Sequence, residues 1–294
     1  MRGPSTEETR SPDPRSGLSS VGRLLRQHDR DRFQTALFAP AAAREALFAL
    51  YAFNYEIARV RESVREPMLG QIRLQWWRET IDAAYGEAKP RRHEVVEPLT
   101  AAIRSYGLSR GYFDRLIDAR ERDLDDTPPE DFSTLHAYAE ATSSALMLLA
   151  LEVLRAATPA AIGLAQGAGI AYAVVGLLRA MPAHARAGRC FIPRDLAAET
   201  GFDAADYAAG RATPALRRAV EAIAEDAALR IAGLRAAQNM VPRAALPALL
   251  PTRIAAHALK RLKQAGYDPF CGAGEGDPLQ SWRLAFAALT GRFC

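Results

Sequence analysis

The chain has 294 residues, of which 49% are hydrophobic and 24% charged, the balance of an ordinary globular protein with a substantial core. Its formal net charge of +4 arises from 38 Lys and Arg against 34 Asp and Glu. That charge is too small to indicate a nucleic-acid partner, and we exclude this class. The three cysteines have no CxxC spacing, which argues against a disulfide framework or a zinc site.

Residues 1–20 are rich in Ser, Pro, Arg and Glu and predict a disordered leader ahead of one domain over residues 21–294. The leader has no apolar core after its first charge, so it does not resemble a secretory signal. We expect no segment with the roughly 20 apolar residues of a membrane span. The predicted location is cytoplasmic, and the mild positive charge is compatible with peripheral contact at the inner face of a membrane.

Helical patterning dominates the rest of the chain, because Ala is abundant, β-branched residues are sparse and apolar residues recur at helical spacing. The predicted helices cover residues 21–38, 41–65, 69–85, 95–106, 110–126, 133–155, 159–181, 214–239, 246–265 and 278–293. Ser109 and Ser133 are predicted N-caps, Pro67 a helix break, and 182–194 an irregular segment. No shift in composition marks a domain boundary, so we predict a single all-α bundle.

Small residues recur along the predicted helix 159–181: Gly163, Gly167, Gly169, Ala173 and Gly176. Such residues allow another helix backbone to approach closely, although the signal is weaker in soluble bundles than in membranes. The pattern therefore predicts a tight helix–helix contact along this segment.

An acidic stripe runs along the predicted helix 110–126, where Asp114, Asp118, Glu121 and Asp125 follow i, i+4, i+7, i+11 spacing. Carboxylates in such a stripe are able to hold metal ions that bind a diphosphate. The alternative is a solvated acidic face paired with nearby arginines, which is the more ordinary arrangement. The sequence leaves both interpretations open.

Arg120 is unusual because it falls on the apolar face of the same helix, between Leu116 and Leu124. A guanidinium in that position needs a partner. It either forms an internal salt bridge with a neighbouring helix or points into a pocket and binds an anion.

The helix 246–265 places Arg253, His257, Lys260 and Gln264 on one side. This basic side is either a solvated face or a docking surface for an anionic membrane or a partner. The five histidines are scattered, and no GxGxxG or Walker pattern is present.

Four motifs follow one another in order: ALYAF at 49–53, LQWWRE at 74–79, LIDARERDLDD at 116–126 and GRCFIPRDL at 188–196. Together they resemble the squalene/phytoene synthase superfamily. The resemblance implies a helical bundle of the isoprenoid synthase type around a central cavity. In that superfamily two aspartate-rich motifs hold Mg²⁺, and the Mg²⁺ binds the prenyl diphosphates that are joined head to head.

The positions that correspond to these aspartate motifs lack most of the carboxylates. The register of the first motif gives Tyr55, Ala58, Arg59 and Glu62, and that of the second runs from Gly176 to His184 and keeps only Arg179. Because Mg²⁺ requires hard oxygen ligands, the sequence predicts no metal site and no catalytic residues.

A narrower resemblance lies within the superfamily. The segments at 52–64, 72–86, 118–126, 138–149 and 280–283 look like the branch whose members assist assembly of mitochondrial respiratory complex I and also lack the aspartate motifs. It implies a non-catalytic protein that acts with complex I subunits or assembly intermediates at a membrane. The alternative is a prenyltransferase that uses Mg²⁺, or a protein that binds prenyl diphosphates or another lipid ligand. In either case the candidate diphosphate or anion pocket consists of Arg44, Tyr51, Arg73, Arg120, Arg179 and Arg189.

Overall fold

The computed structural model describes residues 17–87, 89–271 and 277–294, and these residues are helical with no strand. The helices are α1 Ser20–His28, α2 Arg30–Ala36, α3 Ala41–Ala58, α4 Val60–Ser63, α5 Pro67–Tyr85, α6 Val96–Tyr106, α7 Arg110–Glu121, α8 Phe132–Ala139, α9 Ala145–Val153, α10 Pro159–Arg186, α11 Arg194–Thr200, α12 Ala204–Ala208, α13 Pro214–Ala237, α14 Leu246–Leu249, α15 Pro251–Gln264 and α16 Gln280–Thr290. The all-α prediction is confirmed.

The start of the described chain differs from the predicted one. Residues 1–16 of the predicted leader lie outside the described residues, and α1 already begins at Ser20, capped by the hydroxyl of Ser19. The predicted first helix 21–38 is wrong as one element, because Asp29 divides it into α1 and α2. The Asp29 carboxylate accepts a hydrogen bond from the Arg32 backbone N–H at 3.1 Å and thereby caps α2.

The predicted helix 133–155 also differs in its start and its middle. The N-cap is Asp131 and not Ser133, since the Asp131 carboxylate accepts from the Thr134 N–H at 2.8 Å. A π-helical segment, Glu140–Ser144, then joins α8 to α9. The extra residue of a π turn shifts the side chains that follow it around the helix axis.

Helix α10 is the centre of the bundle and packs against α8, α9, α13 and α15. It passes through Pro182 and ends at Arg186, so the prediction of an irregular segment from residue 182 is wrong there. Among the described helices, α10 is long and apolar enough to cross a membrane, whereas we expected no such segment. However, 56% of its most apolar window is buried inside the protein.

The tight contact predicted for this helix occurs at Gly169. A Cβ placed there would lie 2.5 Å from both the backbone nitrogen and the hydroxyl of Ser144 in the π-helical segment. Ser144 is held in place because its hydroxyl donates to the Gln166 carbonyl oxygen at 2.7 Å. By contrast, a Cβ at Gly163 or Gly176 would meet no neighbouring atom within 4 Å.

Buried apolar side chains from Val21 to Cys294 form one main core among the described residues. A separate small cluster joins Leu250 and Ile254 to Leu284 and Ala287 of α16. The apolar contact between the terminal helix and the bundle is therefore a narrow strip.

Candidate functional site

The register of the first aspartate motif falls at the end of α3 and in α4. Tyr55 stacks on His28 with ring centroids 4.9 Å apart, and the Arg59 guanidinium lies 5.4 Å from the Tyr55 ring centroid. Arg59 also pairs with Glu56 at 3.5 Å, whereas Glu62 is exposed. Aromatic and cationic groups thus stand where the resemblance implies carboxylates.

The register of the second motif lies on α10, where Ala180, Ala183 and His184 replace the expected carboxylates. The His184 ring packs on Phe191 with centroids 4.8 Å apart. Burial and the nearby Arg189 guanidinium together lower the pKa of His184 to about 4, although Asp123 partly opposes them. The imidazole is therefore neutral near pH 7, and its Nδ1 is buried without a hydrogen-bond partner.

Arg32 lies between two tyrosine rings from α3 and α10. Its guanidinium carbon is 6.0 Å from the Tyr51 ring centroid and 5.0 Å from that of Tyr172, and Nη1 donates to Asp29 at 2.9 Å. Burial raises the pKa of both tyrosine hydroxyls, although Arg32 opposes that change. The rings stay neutral and offer their faces to the guanidinium.

Arg179, the motif residue that survives, pairs with Asp31 of α2 at 2.7 Å. The same carboxylate accepts from the amide of Gln280 at 2.8 Å through its other oxygen, and from the Tyr172 hydroxyl at 3.5 Å. This group therefore links α2 and α10 to the first residue of α16.

Asp123 is the centre of a second buried group. Its carboxylate is 6% exposed and accepts from Arg120 at 3.1 Å, from the Tyr138 hydroxyl at 2.8 Å and from Arg189 at 3.3 Å. The Tyr138 hydroxyl also accepts a hydrogen bond from Arg120 at 2.8 Å. Arg120 therefore forms an internal salt bridge, but with Asp123 just after the end of its own helix and not with a neighbouring helix as predicted. Its contact with the neighbouring α8 is the neutral Tyr138 hydroxyl.

Further charges extend the second group towards solvent. Arg189 also approaches Asp126 at 3.4 Å, and Asp126 in turn pairs with Arg61 of α4. The Nε of Arg120 is buried without a hydrogen-bond partner. Arg32 is near enough to Arg120 to oppose the rise in its pKa, so the two groups influence one another electrostatically.

The structure separates the six residues of the candidate pocket. Arg120 and Arg189 share Asp123, while Tyr51 and Arg179 belong to the group around Arg32 and Asp31. The other two lie elsewhere, since Arg44 donates to the carbonyl oxygens of Leu37 and Ala39, and Arg73 donates to the Ser63 hydroxyl at 2.6 Å.

Sequence reasoning missed four of the central side chains, namely Asp31, Arg32, Tyr138 and Tyr172. A signal existed for the first two, because a polar run interrupts the apolar pattern of the first predicted helix. The two tyrosines gave none, since a tyrosine at helical spacing is equally consistent with an ordinary core position.

The acidic stripe of α7 is paired with arginines. Arg78 reaches Glu121 at 3.0 Å and Asp118 at 2.6 Å, and Arg110 approaches Asp114 at 3.5 Å. Within the described ranges, no group of three or more His, Cys, Asp or Glu side chains is placed to hold a metal ion. The contacts therefore match the solvated, arginine-paired interpretation of the stripe.

The residues at the two motif registers do not fit Mg²⁺. That ion prefers near-octahedral oxygen ligands, usually including carboxylates. Apart from the one exposed carboxylate, Glu62, the registers supply a stacked tyrosine, a guanidinium and a neutral imidazole with an unpartnered buried nitrogen. We therefore derive no metal-dependent step from this site.

A profile of squalene/phytoene synthases matches residues 25–289. The chain belongs to the squalene/phytoene synthase family. Its crystallised relatives include a squalene synthase from Alicyclobacillus acidocaldarius, with a TM-score of 0.74, 22% identity, and coverage of 85% of this chain and 94% of that one. A dehydrosqualene synthase gives a TM-score of 0.80 at 16% identity, covering 92% of this chain and 94% of that one. These structures confirm the isoprenoid synthase type of fold.

Relatives by sequence also support the narrower branch. Complex I assembly factor 6 from Bos taurus is 33% identical over 261 residues, which cover 87% of this chain and 78% of the relative. The Homo sapiens protein is 32% identical over 247 residues, or 84% and 74% of the two chains. A presqualene diphosphate synthase from Rhodopseudomonas palustris is 29% identical over 205 residues, or 69% and 72%. The predicted resemblance to the assembly-factor branch is confirmed.

His184 gives this family member an expected sensitivity to acid. Because its pKa falls from the usual 6.5 to about 4 on folding, the unfolded chain binds the proton first as the pH drops. Stability should therefore decline between about pH 6.5 and about pH 4, with up to about 3 kcal/mol of the loss due to this residue. Urea unfolding of the wild type and of His184→Gln across this range measures the effect. An identical pH dependence in both proteins would contradict it.

Proposed function

We propose that this chain is a non-catalytic member of the squalene/phytoene synthase family that assists assembly of respiratory complex I. The observation that carries the proposal is the replacement of the carboxylates at both motif registers, with Arg59 at the first and His184 at the second. Mg²⁺ would meet cationic or neutral groups at these positions, so the electrostatic basis for ionising a diphosphate is missing.

The assembly role is supported by the assembly factor 6 relatives, which match over more than four-fifths of this chain at 32–33% identity. On this proposal the partners are complex I subunits or assembly intermediates. The protein acts from the cytoplasmic side, in peripheral contact with the inner face of the membrane, and needs no cofactor.

Loss of the gene is expected to lower assembled complex I. Membranes from a deletion strain should show reduced NADH:quinone activity and a weaker complex I band in native gels, and the intact gene should restore both. Carotenoid and hopanoid levels, measured in the same cells, should be unchanged. Normal complex I together with a fall in these isoprenoids would overturn the proposal.

Purified protein is expected to form no product from farnesyl or geranylgeranyl diphosphate with Mg²⁺. The assay looks for a C30 or C40 hydrocarbon or its diphosphate precursor, with heat-inactivated protein as the blank and an active synthase as the positive control. Any turnover above the blank would contradict the non-catalytic part of the proposal.

The alternative is a retained ligand role, and one observation favours it. Arg120 and Arg189 share a single carboxylate, and the Arg120 Nε is buried without a partner. Calorimetric titration with farnesyl diphosphate, with and without Mg²⁺, separates the cases. Metal-independent binding without turnover would add a ligand to the assembly factor, whereas Mg²⁺-dependent binding would favour the prenyltransferase.

A further inference from the structure

Helix α16 carries a stripe of large apolar side chains that faces away from the protein. Trp282, Phe286 and Leu289 are 76%, 63% and 75% exposed, and Leu279, just before the helix, is 53% exposed. These residues follow i, i+3, i+7, i+10 spacing, so they lie along one side of the helix. We call this set of four side chains the α16 stripe.

The outward orientation of the α16 stripe is fixed by contacts on the other side of the helix. Leu284 and Ala287 are buried against Leu250 and Ile254. At the start of the helix, the Ser281 hydroxyl accepts from Gln34 of α2 at 3.0 Å. After its end, the Cys294 carbonyl oxygen accepts from Arg253 of α15 at 3.1 Å. Both sides of α16 therefore carry apolar residues, and only one of them packs against other described residues.

The net positive charge of the sequence falls in its C-terminal part, which includes this helix. Residues 243–294 contain seven Lys or Arg and three Asp or Glu, a difference of +4 that equals the formal net charge of the whole chain. Residues 1–242 are therefore neutral overall. From 278 to 294 the sequence has two arginines and no acidic residue.

Basic side chains flank both ends of the α16 stripe. Near its start, burial lowers the pKa of the His257 imidazole. The basic side chains Arg283, Arg261 and Lys260 are close enough to lower it further, whereas Asp277 opposes them. After its end, Arg292 is exposed, and Arg253 and Arg235 lie close enough to Cys294 to oppose the rise in the pKa of its thiol. Among these groups, Asp277 partly neutralises Arg283, with the two side chains 3.0 Å apart.

We propose that the α16 stripe docks the protein on a bilayer that contains anionic lipids, with Trp282, Phe286 and Leu289 entering the headgroup region. A helix with an apolar Trp, Phe and Leu face and flanking Lys and Arg has the chemistry of an element that lies in the membrane interface. The positive surrounding field complements the negative surface of such a leaflet. The inference specifies the membrane contact of the proposed function, yet vesicle binding by the isolated protein tests it independently of complex I assembly.

A second protein is a poorer match for the α16 stripe. A stable protein interface buries roughly 800 Å² on each partner and involves roughly 20–30 residues a side. The stripe consists of four side chains on one short helix. In a membrane such a small area is sufficient, because electrostatic attraction adds to the burial of each apolar side chain.

The test is co-sedimentation of the full chain with vesicles of phosphatidylcholine alone or of phosphatidylcholine with phosphatidylglycerol. Binding should require the anionic lipid and weaken in high salt. Trp282→Ser combined with Phe286→Ser should weaken it by at least about tenfold. The matched control is Leu229→Ser on α13, since Leu229 is also 75% exposed, and it should leave vesicle binding unchanged.

Two further measurements distinguish a loss of membrane binding from poor folding of the double variant. Circular dichroism checks its helicity, and the tryptophan emission of the wild type should shift to shorter wavelength on anionic vesicles, because Trp282 is far more exposed than the 4% exposed Trp77 or the half-buried Trp76. No binding, equal binding by wild type and double variant, or equal binding to both vesicle types would overturn the proposal. A dimer in light scattering that the double variant abolishes would reassign the stripe to self-association.

Discussion

Replacing Asp123 with alanine is expected to lower the free energy of unfolding by about 3–5 kcal/mol. Within the described residues, the substitution removes the carboxylate that pairs with the largely buried Arg120 and leaves Arg189 paired with Asp126 alone. It also removes the acceptor of the Tyr138 hydroxyl. Urea unfolding followed by far-ultraviolet circular dichroism measures the change.

The matched control for this prediction is Asp125→Ala, since Asp125 is two residues away on the same segment and exposed. It should change stability by less than about 0.5 kcal/mol. Asp123→Asn should fall between the two, because the amide keeps a hydrogen-bond acceptor but loses the charge. Equal stabilities for Asp123→Ala and Asp125→Ala would show that the Asp123 group does not contribute to folding.

Gly169→Ala is expected to destabilise the protein by about 1–3 kcal/mol, although alanine is the better helix former. The added Cβ would come within 2.5 Å of the Ser144 backbone nitrogen, so α10 and the π-helical segment would have to separate. Ser144 cannot move freely because its hydroxyl is bonded to the Gln166 carbonyl oxygen. Thermal and urea unfolding both report the loss.

Gly163→Ala on the same helix is expected to stabilise the protein and not to destabilise it. Gly163 is exposed, and a Cβ there meets no atom within 4 Å. Alanine should therefore stabilise the helix by up to about 1 kcal/mol through backbone entropy alone. If both glycine variants were stabilising, the close approach at Gly169 would be wrong.

Several features of the fold were predictable because they depend on local sequence. Helical spacing of apolar residues and Pro or Gly at segment ends placed most helices within a few residues, including the long helix Pro214–Ala237. The predicted helix starts were wrong where an aspartate carboxylate accepts a hydrogen bond from a backbone N–H group and so caps the helix. Asp29 ends one helix and caps the next, and Asp131 takes the N-cap position predicted for Ser133.

Ser109 makes a contact that local sequence patterns do not predict. It occupies the predicted N-cap position of α7, yet its hydroxyl and backbone N–H both donate to the Glu152 carboxylate, at 2.5 and 2.8 Å. The partner lies 43 residues away in sequence. No local pattern contains that contact, because it exists only once α7 and α9 are packed.

The candidate pocket was predicted as one set of residues, and the contacts of these residues fall into several groups. Arg44 and Arg73 bond to groups close to them in sequence, while Arg120 and Arg189 meet at Asp123 from elements far apart in the chain. The sequence identified Arg120 as a buried charge in need of a partner. It did not identify Tyr138, because the choice of partner depends on the distance between α7 and α8.

The sequence by itself determined the helical class, the family register and the loss of carboxylates at both aspartate motifs, since these follow from residue identity and spacing along the chain. Only the tertiary structure decided which charges pair in the interior, because buried ion pairs form between elements that folding brings together. It also decided that the α16 stripe faces outward. Apolar residues on both sides of a helix predict burial on each, and only the packing against Leu250 and Ile254 shows which side remains uncovered.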